Sequence, residues 1–399
     1  MFKPNQYSKA QAIYIAVLGI AWSAYAYSRG VVMSPDSKSY SRWADILIQY
    51  NFNILEFLDN VHFSIPPHFY INWVTITASH KVLLGENWEL GIVVLNLMAG
   101  VFAALLLLKS LWTITGKPAC TLFAGLFLLL CHDYYLWIPY VLSDTIFSLF
   151  SFLLFILAIS LYRQPKELTK RVIGIAAIIF FILFFRPTWP PLLIFVFLSL
   201  LLATLFNSIA TDSEKRHKLI IRCTLLVCIL IPTVIICHSY FMQHPDKWPF
   251  PFLSSVVSFL SQDYQKGIVI YARPETYHSL PGNIFEYAYI SFHKIIAFFY
   301  IDVASYSFIH AVINYIFFVP IYGLSIFAVA QLFKKGNGPS PSNWWSIFSC
   351  VLFISLFAFF HSLHQIDYDF RYRVPCLLPL IFLATLGLNE LINSYSKKT

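Results

Sequence analysis

The sequence predicts an all-α polytopic membrane protein of about ten transmembrane helices, with amphipathic surface helices in its first outer loop. Three observations predict it. Of the 399 residues, 58% are apolar or aromatic and 12% are charged, with a mean hydropathy of +0.68. Soluble globular chains are about half apolar and about a quarter charged, so this surplus must face lipid. Apolar runs of bilayer-crossing length, or close to it, recur along the chain. Aromatic residues make up 18%, with 39 Phe, 24 Tyr and 10 Trp, which suits a bundle whose ends sit in both headgroup layers.

The runs cover about 12–32, 89–108, 118–137, 138–161, 172–186, 188–207, 219–240, 309–333, 344–363 and 374–394. The first is followed by Arg29-Gly30 and Ser34-Pro35-Asp36 and lacks an A-x-A-like site, so it reads as an anchor and not as a cleavable signal. Basic connectors fall at Lys109 and Lys117, at Arg163, Lys166, Lys170 and Arg171, at Lys215, Arg216, Lys218 and Arg222, and at Lys334 and Lys335. Lys3, Lys9, Lys397 and Lys398 occupy the two ends. An even number of crossings places all of these on one side, which the positive-inside rule makes cytoplasmic, with both termini. The net charge of +8 is thereby assigned to membrane orientation and not to nucleic acid.

Most carboxylates and every histidine except His217 fall on the opposite, outer side. Two long connections, about 33–88 and 241–308, lie there as well. The chain therefore reads as one integral membrane domain over 1–399, with these loops covering the active site. In the first loop, about 37–50 and 67–84 read as amphipathic helices lying on the membrane. The second has the character of a lid, and its polar residues, from Tyr264, Lys266, Arg273, Glu275, Tyr277 and His278 to Glu286, His293 and Lys294, are expected to be mostly solvated. All seven cysteines lie in or beside apolar runs, with no CxxC or Cys/His spacing for zinc and no loop pairs for disulfides. No Walker A, GxGxxG or Ser-His-Asp order and no internal repeat occurs, and no cofactor or metal is expected.

Four places carry candidate chemistry. In Ser34-Pro35-Asp36-Ser37-Lys38-Ser39-Tyr40, Asp36 is either part of a helix start, with Ser34 capping and Pro35 at the first helical position, or a general base at the water–lipid boundary. Arg371 and Arg373 stand on an outer flank, against the orientation bias; either Asp367 and Asp369 pair with them or an anionic ligand does, since guanidinium forks match phosphate oxygens. Arg186, in Arg186-Pro187-Thr188-Trp189, interrupts an apolar stretch and reads as a turn arginine reaching headgroups or as a functional cation. Asp144, in Ser143-Asp144-Thr145, reads as a helix start or as a second active-site acid. His62, His68 and Gly85-Glu86-Asn87 complete the first outer loop, with the histidines lining a surface or ending a helix.

Pro35-Asp36-Ser37…Tyr40, Pro66-Pro67…Tyr70 leading to Leu84-Gly85, Leu142-Ser143-Asp144-Thr145…Phe147, Arg186-Pro187-Thr188 and Asp369-Phe370-Arg371-Tyr372-Arg373…Pro375…Pro379 together resemble the GT-C glycosyltransferase superfamily. These are polytopic enzymes that take sugars from polyprenyl-phosphate carriers. The resemblance covers nearly the whole chain, through topology more than through any one motif, and the chain is similar to bacterial members such as the protein O-mannosyltransferase-like, lipid A aminoarabinose-transferase-like and serotype-conversion glucosyltransferase-like groups. It implies an inverting hexosyltransferase of the bacterial inner membrane, with its active site on the outer face and an envelope glycan, lipid or protein as acceptor. It further implies Asp36 as the base and Tyr40, His68, Asp144, Arg186, Arg371 and Arg373 as substrate-binding residues, with Arg371 and Arg373 clamping the departing phosphate. Several of those families carry two adjacent acids in the first outer loop. Here Ser37 follows Asp36, which weighs against metal dependence.

Two other readings compete. A polysaccharide polymerase or ligase would use a pyrophosphate-linked donor, and the acid after the first helix argues against it. A transporter or flippase would carry charges near the midplane in matching halves, and neither is present apart from Arg186.

Overall fold

The computed structural model describes residues 4–60, 67–163, 168–209, 283–302, 306–334, 339–363 and 370–396, with isolated positions between 236 and 261. Among the described residues the chain is helical without a named strand, and one parallel bridge joins Val32 to Tyr140. The expected run at 219–240, apart from residues 236, 237 and 240, and the expected lid residues Tyr264, Lys266, Arg273, Glu275, Tyr277 and His278 lie outside the described residues, as do His62, Asp367 and Asp369.

Helix α1 (Pro4–Arg29) ends at Gly30, whose φ of 65° only glycine adopts cheaply. α2 (Pro35–Gln49) starts on a capping box in which Ser34 accepts from the Ser37 amide and Ser37 accepts from the Ser34 amide. Ser37, Tyr40, Trp43, Ala44 and Leu47 form its buried stripe, the helical period expected of an amphipathic segment. After the short α3 (Ile54–Asn60), the 3₁₀ turn Pro67–Tyr70 runs into α4 (Ile71–Leu84). α4 departs from expectation: it is apolar on both faces, burying Trp73, Val74 and Ala78 while exposing Val82 and Leu83. Lys81 fastens it to α2 through Asp45 at 2.6 Å.

α5 (Trp88–Thr115), α6 (Pro118–Leu130), the one-turn α7 (His132–Tyr135), α8 (Asp144–Arg163), α9 (Leu168–Leu183) and α10 (Pro190–Ile209) follow. α11 (Ile284–Phe298), α12 (Phe308–Leu332), α13 (Pro341–Leu363), the 3₁₀ turn Phe370–Arg373 and α14 (Val374–Ser396) complete the described chain. Helices thus coincide with the expected runs except 219–240, although the run at 118–137 breaks at Cys131 and the next starts late, at Asp144. Five stretches are long and apolar enough to cross a membrane: Ile71–Thr115, Asp144–Leu161, Phe308–Leu332, Pro341–Leu363 and Arg371–Ser396. Pro118–Leu130 and Pro190–Leu202 are apolar but shorter. The molecule is an all-α, multi-pass membrane protein. Ile13, Ile20, Phe180, Phe197, Ile309 and Ile326, each at least 63% exposed, are side chains for which lipid is the fitting solvent.

α14 is the central post. Of its most apolar stretch 83% is buried in protein, against 33% for the peripheral α12. Phe155 of α8 is the hub of an aromatic core, its ring 6.0 Å from Phe195, 5.4 Å from Phe353 and 5.7 Å from Phe382. α12 and α14 approach so closely that a Cβ on Gly387 would collide with the Leu324 carbonyl oxygen. The described residues that follow α1, α6, α9 and α11 and the 3₁₀ turn before α14 meet at one end of this bundle, through Val32 and Tyr140, Arg186 and Asp144, Arg371 and Asp36, and Arg373 and Tyr300.

Candidate active site

Two backbone stitches assemble the polar end. The Val32 amide donates to Pro139 at 2.9 Å and the Val141 amide to Val32 at 3.2 Å, which draws the segment before α2 against the segment before α8. Buried Asn96 holds that second segment by donating to the carbonyls of Tyr140 (2.9 Å) and Leu142 (3.3 Å). On the far side, Asn72 donates from its backbone to Phe184 at 2.9 Å and from its side chain to Phe181 at 2.7 Å, so the start of α4 is tied to the end of α9. Asp36, Tyr70, Asp144 and Arg186, far apart in sequence, are brought to one place by these contacts.

There Arg371 pairs with Asp36 at 2.7 Å, with side chains 18% and 42% exposed. Because Ser34 and Ser37 already cap α2, the Asp36 carboxylate is not needed as a cap and reaches across to the turn before α14. One helical turn further, Tyr40 is buried with its ring 5.2 Å from that of Tyr70. Burial pushes the Tyr40 phenol well above its usual range, and Tyr70 rises to about 12 by burial against the opposing pull of Arg186. Both phenols are therefore hydrogen-bond donors at neutral pH. Behind them Asp144 and Arg186 form a close ion pair, both nearly enclosed. Burial works against the Arg186 charge, but Asp144 outweighs it and holds the group firmly protonated. The Nε of Arg186 and the hydroxyls of Ser143 and Thr145 are buried without a hydrogen-bond partner among the described residues. Ser143 thus does not cap α8 through its side chain, and the Asp144 carboxylate is committed to Arg186.

Arg373 corrects the expectation of a paired clamp. In the 3₁₀ turn, residues two apart point to different sides, since three residues complete a turn. Arg371 faces α2, whereas Arg373 enters the bundle, binds Asp133 and the Tyr300 carbonyl, and lies 4.4 Å from the Phe318 ring centre. Asp133 also accepts from His310 Nε2 at 2.8 Å and Asn314 Nδ2 at 3.3 Å, with the Tyr306 hydroxyl at 3.5 Å. Burial would raise the Asp133 carboxyl, but Arg373 and His310 hold it far below the usual range. His132, its ring 4.2 Å from that of His310, is pushed down to about 4 by burial and by His310. Nitrogens of His132 and His310 and a carboxylate oxygen of Asp133 lie within 4.8 Å of one another, a spacing a metal ion could bridge. Both Asp133 oxygens already serve Arg373, His310, Asn314 and Tyr306, and a guanidinium on the same carboxylate opposes a second cation. The donor set suits a closed ion-pair network better than a metal centre.

Asp133 and His310 escaped the sequence reading because the apolar averages of the 118–137 and 309–333 runs mask the charged or titratable residues near their ends. An ionisable pair inside such a run is the signal that finds them. Lys294, expected to be solvated, is 2% exposed. His68 sits in the 3₁₀ turn Pro67–Tyr70, and its side chain lies outside what the structure describes. Tyr372, between the two arginines, stacks on His361 at 4.7 Å, which in turn stacks on Phe298.

Below this end, an apolar cleft of about 570 Å³ opens between α12, α13 and α14, lined among others by Phe299, Tyr322, Ile326, Val351 and Leu383. Its top reaches the Arg373 network: the Tyr322 hydroxyl donates to Phe299 at 3.0 Å, and the Tyr322 ring lies 5.2 Å from Phe318. No known protein family, curated protein or solved structure matches the chain.

Proposed function

We propose that this protein is a membrane glycosyltransferase of GT-C type that moves a sugar from a polyprenyl-phosphate carrier to an envelope acceptor, with Asp36 as general base. The reading carries ten crossings, both termini in the cytoplasm of a bacterial cell and the active site at the outer face of the inner membrane. One observation supports it above the others: a half-exposed carboxylate in contact with an arginine, backed by a second buried arginine and two protonated phenols, at the polar end of an apolar bundle. Displacing a polyprenyl phosphate from an anomeric carbon requires a base on the acceptor hydroxyl, cations on the departing phosphate and a greasy groove for the tail.

In this mechanism Arg371 and Arg186 face the phosphate, Tyr40 and Tyr70 orient the donor, and the cleft between α12, α13 and α14 takes isoprenoid. Arg373 acts differently, anchoring the turn that carries Arg371. The Asp36–Arg371 pair gives order to the reaction. An arriving phosphate draws Arg371 toward itself, which releases the Asp36 carboxylate to take the proton of the acceptor hydroxyl as its oxygen attacks the anomeric carbon. The glycosidic bond forms, the carbon–phosphate oxygen bond breaks with its electron pair going to the polyprenyl phosphate, and the anomeric centre inverts.

The test compares, by mass spectrometry, lipid-linked sugars and envelope glycans of cells carrying the wild-type chain, Asp36→Asn or no copy. A general base contributes roughly a hundred- to ten-thousand-fold in rate, while the cap is already supplied by Ser34 and Ser37, so Asp36→Asn should match the deletion at equal membrane abundance. The expected pattern is one accumulated polyprenyl-phosphate sugar and one missing glycan residue. Retention of more than about a tenth of the product by Asp36→Asn removes Asp36 as base. Identical lipid and glycan profiles in all three strains remove the transferase itself.

A further inference from the structure

The end of the bundle opposite the candidate active site also has a cleft. About 260 Å³ in volume, it lies between α5 and α8 and is lined by Leu106, Lys109, Ser110, Thr113, Ile114, Ile156, Ile159 and Ser160. Its chemistry is sorted: the floor is leucine and isoleucine, and the polar lining is one ammonium and three hydroxyls near the point where α5 ends at Thr115. Two of the hydroxyls are satisfied within their own helices, Thr113 on the Lys109 carbonyl at 2.9 Å and Ser160 on the Leu157 carbonyl at 2.6 Å. The Lys109 ammonium, exposed, and the half-buried Ser110 hydroxyl have no partner among the described residues. Neighbouring Lys117 is occupied, donating to Asn393 at 2.5 Å.

An apolar groove lined by a cation and hydroxyls, at the bundle end that also holds Lys117, Lys170 and Lys334, is shaped for an amphiphile whose head is negative. We infer that the α5–α8 cleft is a binding site for an anionic glycerophospholipid, with one acyl chain along Leu106, Ile156 and Ile159 and the phosphate between Lys109 and Ser110. A zwitterionic lipid offers the same chain but brings its own cation against Lys109. Inorganic phosphate offers the charge without the chain. Charge complementarity therefore selects the anionic lipid, and the apolar floor distinguishes it from a soluble anion. The site is remote from Asp36, so this inference stands independently of the transferase reading.

Native mass spectrometry of the purified full chain in detergent, titrated with phosphatidylglycerol, phosphatidylcholine or inorganic phosphate, tests it. One phosphatidylglycerol should bind in preference to phosphatidylcholine, and inorganic phosphate should not compete. Each basic residue near a lipid surface contributes about a fivefold change in affinity, so Lys109→Ala should weaken phosphatidylglycerol about fivefold and Lys109→Glu about thirtyfold. Lys109→Arg should retain it. Ser110→Phe, which fills the groove and keeps the charge, should abolish it while the protein stays monodisperse. Lys170→Glu, exposed at the same end but outside the cleft, serves as the control for general charge attraction. Unchanged binding in Lys109→Glu, an equal loss in Lys170→Glu, or full competition by inorganic phosphate would each overturn the assignment.

Discussion

Arg371 and Arg373 are two residues apart and have opposite surroundings, and a substitution at each should be read differently. Arg371 shares its half-exposed pair with Asp36, and such a pair is worth about 1 kcal/mol or less to stability. Arg373 is 2% exposed and neutralises buried Asp133. Removing one partner of a buried pair costs about 3–5 kcal/mol because the other is left as an uncompensated charge. Arg371→Lys keeps the charge and loses the fork, so it should cut transfer at least tenfold with an unchanged thermal midpoint. Arg373→Ala should lower the thermal midpoint in detergent first, and the companion change Asp133→Asn should restore part of it. Equal midpoints for the two single variants would show that Arg373 is no anchor.

At the scale of the element, the packing of α12 on α14 controls the apolar cleft. Gly387 allows this approach, since any side chain there meets the Leu324 backbone, which cannot swing aside as a flexible side chain can. Gly387→Leu should force the helices apart and destabilise the protein by about 1–3 kcal/mol. Leu380 and Leu383 of the same helix line the cleft, so the separation should reshape it as well. Thermal unfolding and retention of co-purified isoprenoid lipid measure the two effects, and a Gly387→Ala or Gly387→Leu protein as stable as the wild type would refute the close-contact account. The short elements are governed by similar local logic. The capping box of α2 frees Asp36, and the 3₁₀ turn separates the two arginines.

For the whole molecule, the alternation of helices puts Asp36, Asp144, Arg186 and Arg371 at one end and Lys109, Lys117 and Lys334 at the other. Single-cysteine variants at Asp36 and Lys334 should therefore react with a membrane-impermeant thiol reagent from opposite sides of sealed vesicles. The basic end should be the cytoplasmic one. Labelling of both positions from one side would break the arrangement of ends on which the site depends.

Membrane residence was legible in composition alone, because 58% apolar residues leave no aqueous alternative, and helix positions followed from run length. Arg186, Arg371 and Arg373 were legible as charges placed where charges are costly or against the orientation bias, and Asp36 and Asp144 as acids at outer helix starts. Which acid meets which arginine was not, because that depends on side-chain direction in a 3₁₀ turn and on the hydrogen bonds of Asn72 and Asn96 between segments distant in sequence. Asp133 was hidden by the apolar residues around it, and only the packing of α7 against α12 and the turn before α14 gave it partners. Residue types and periodicity reside in the chain; the pairing of charges is decided where helix ends converge.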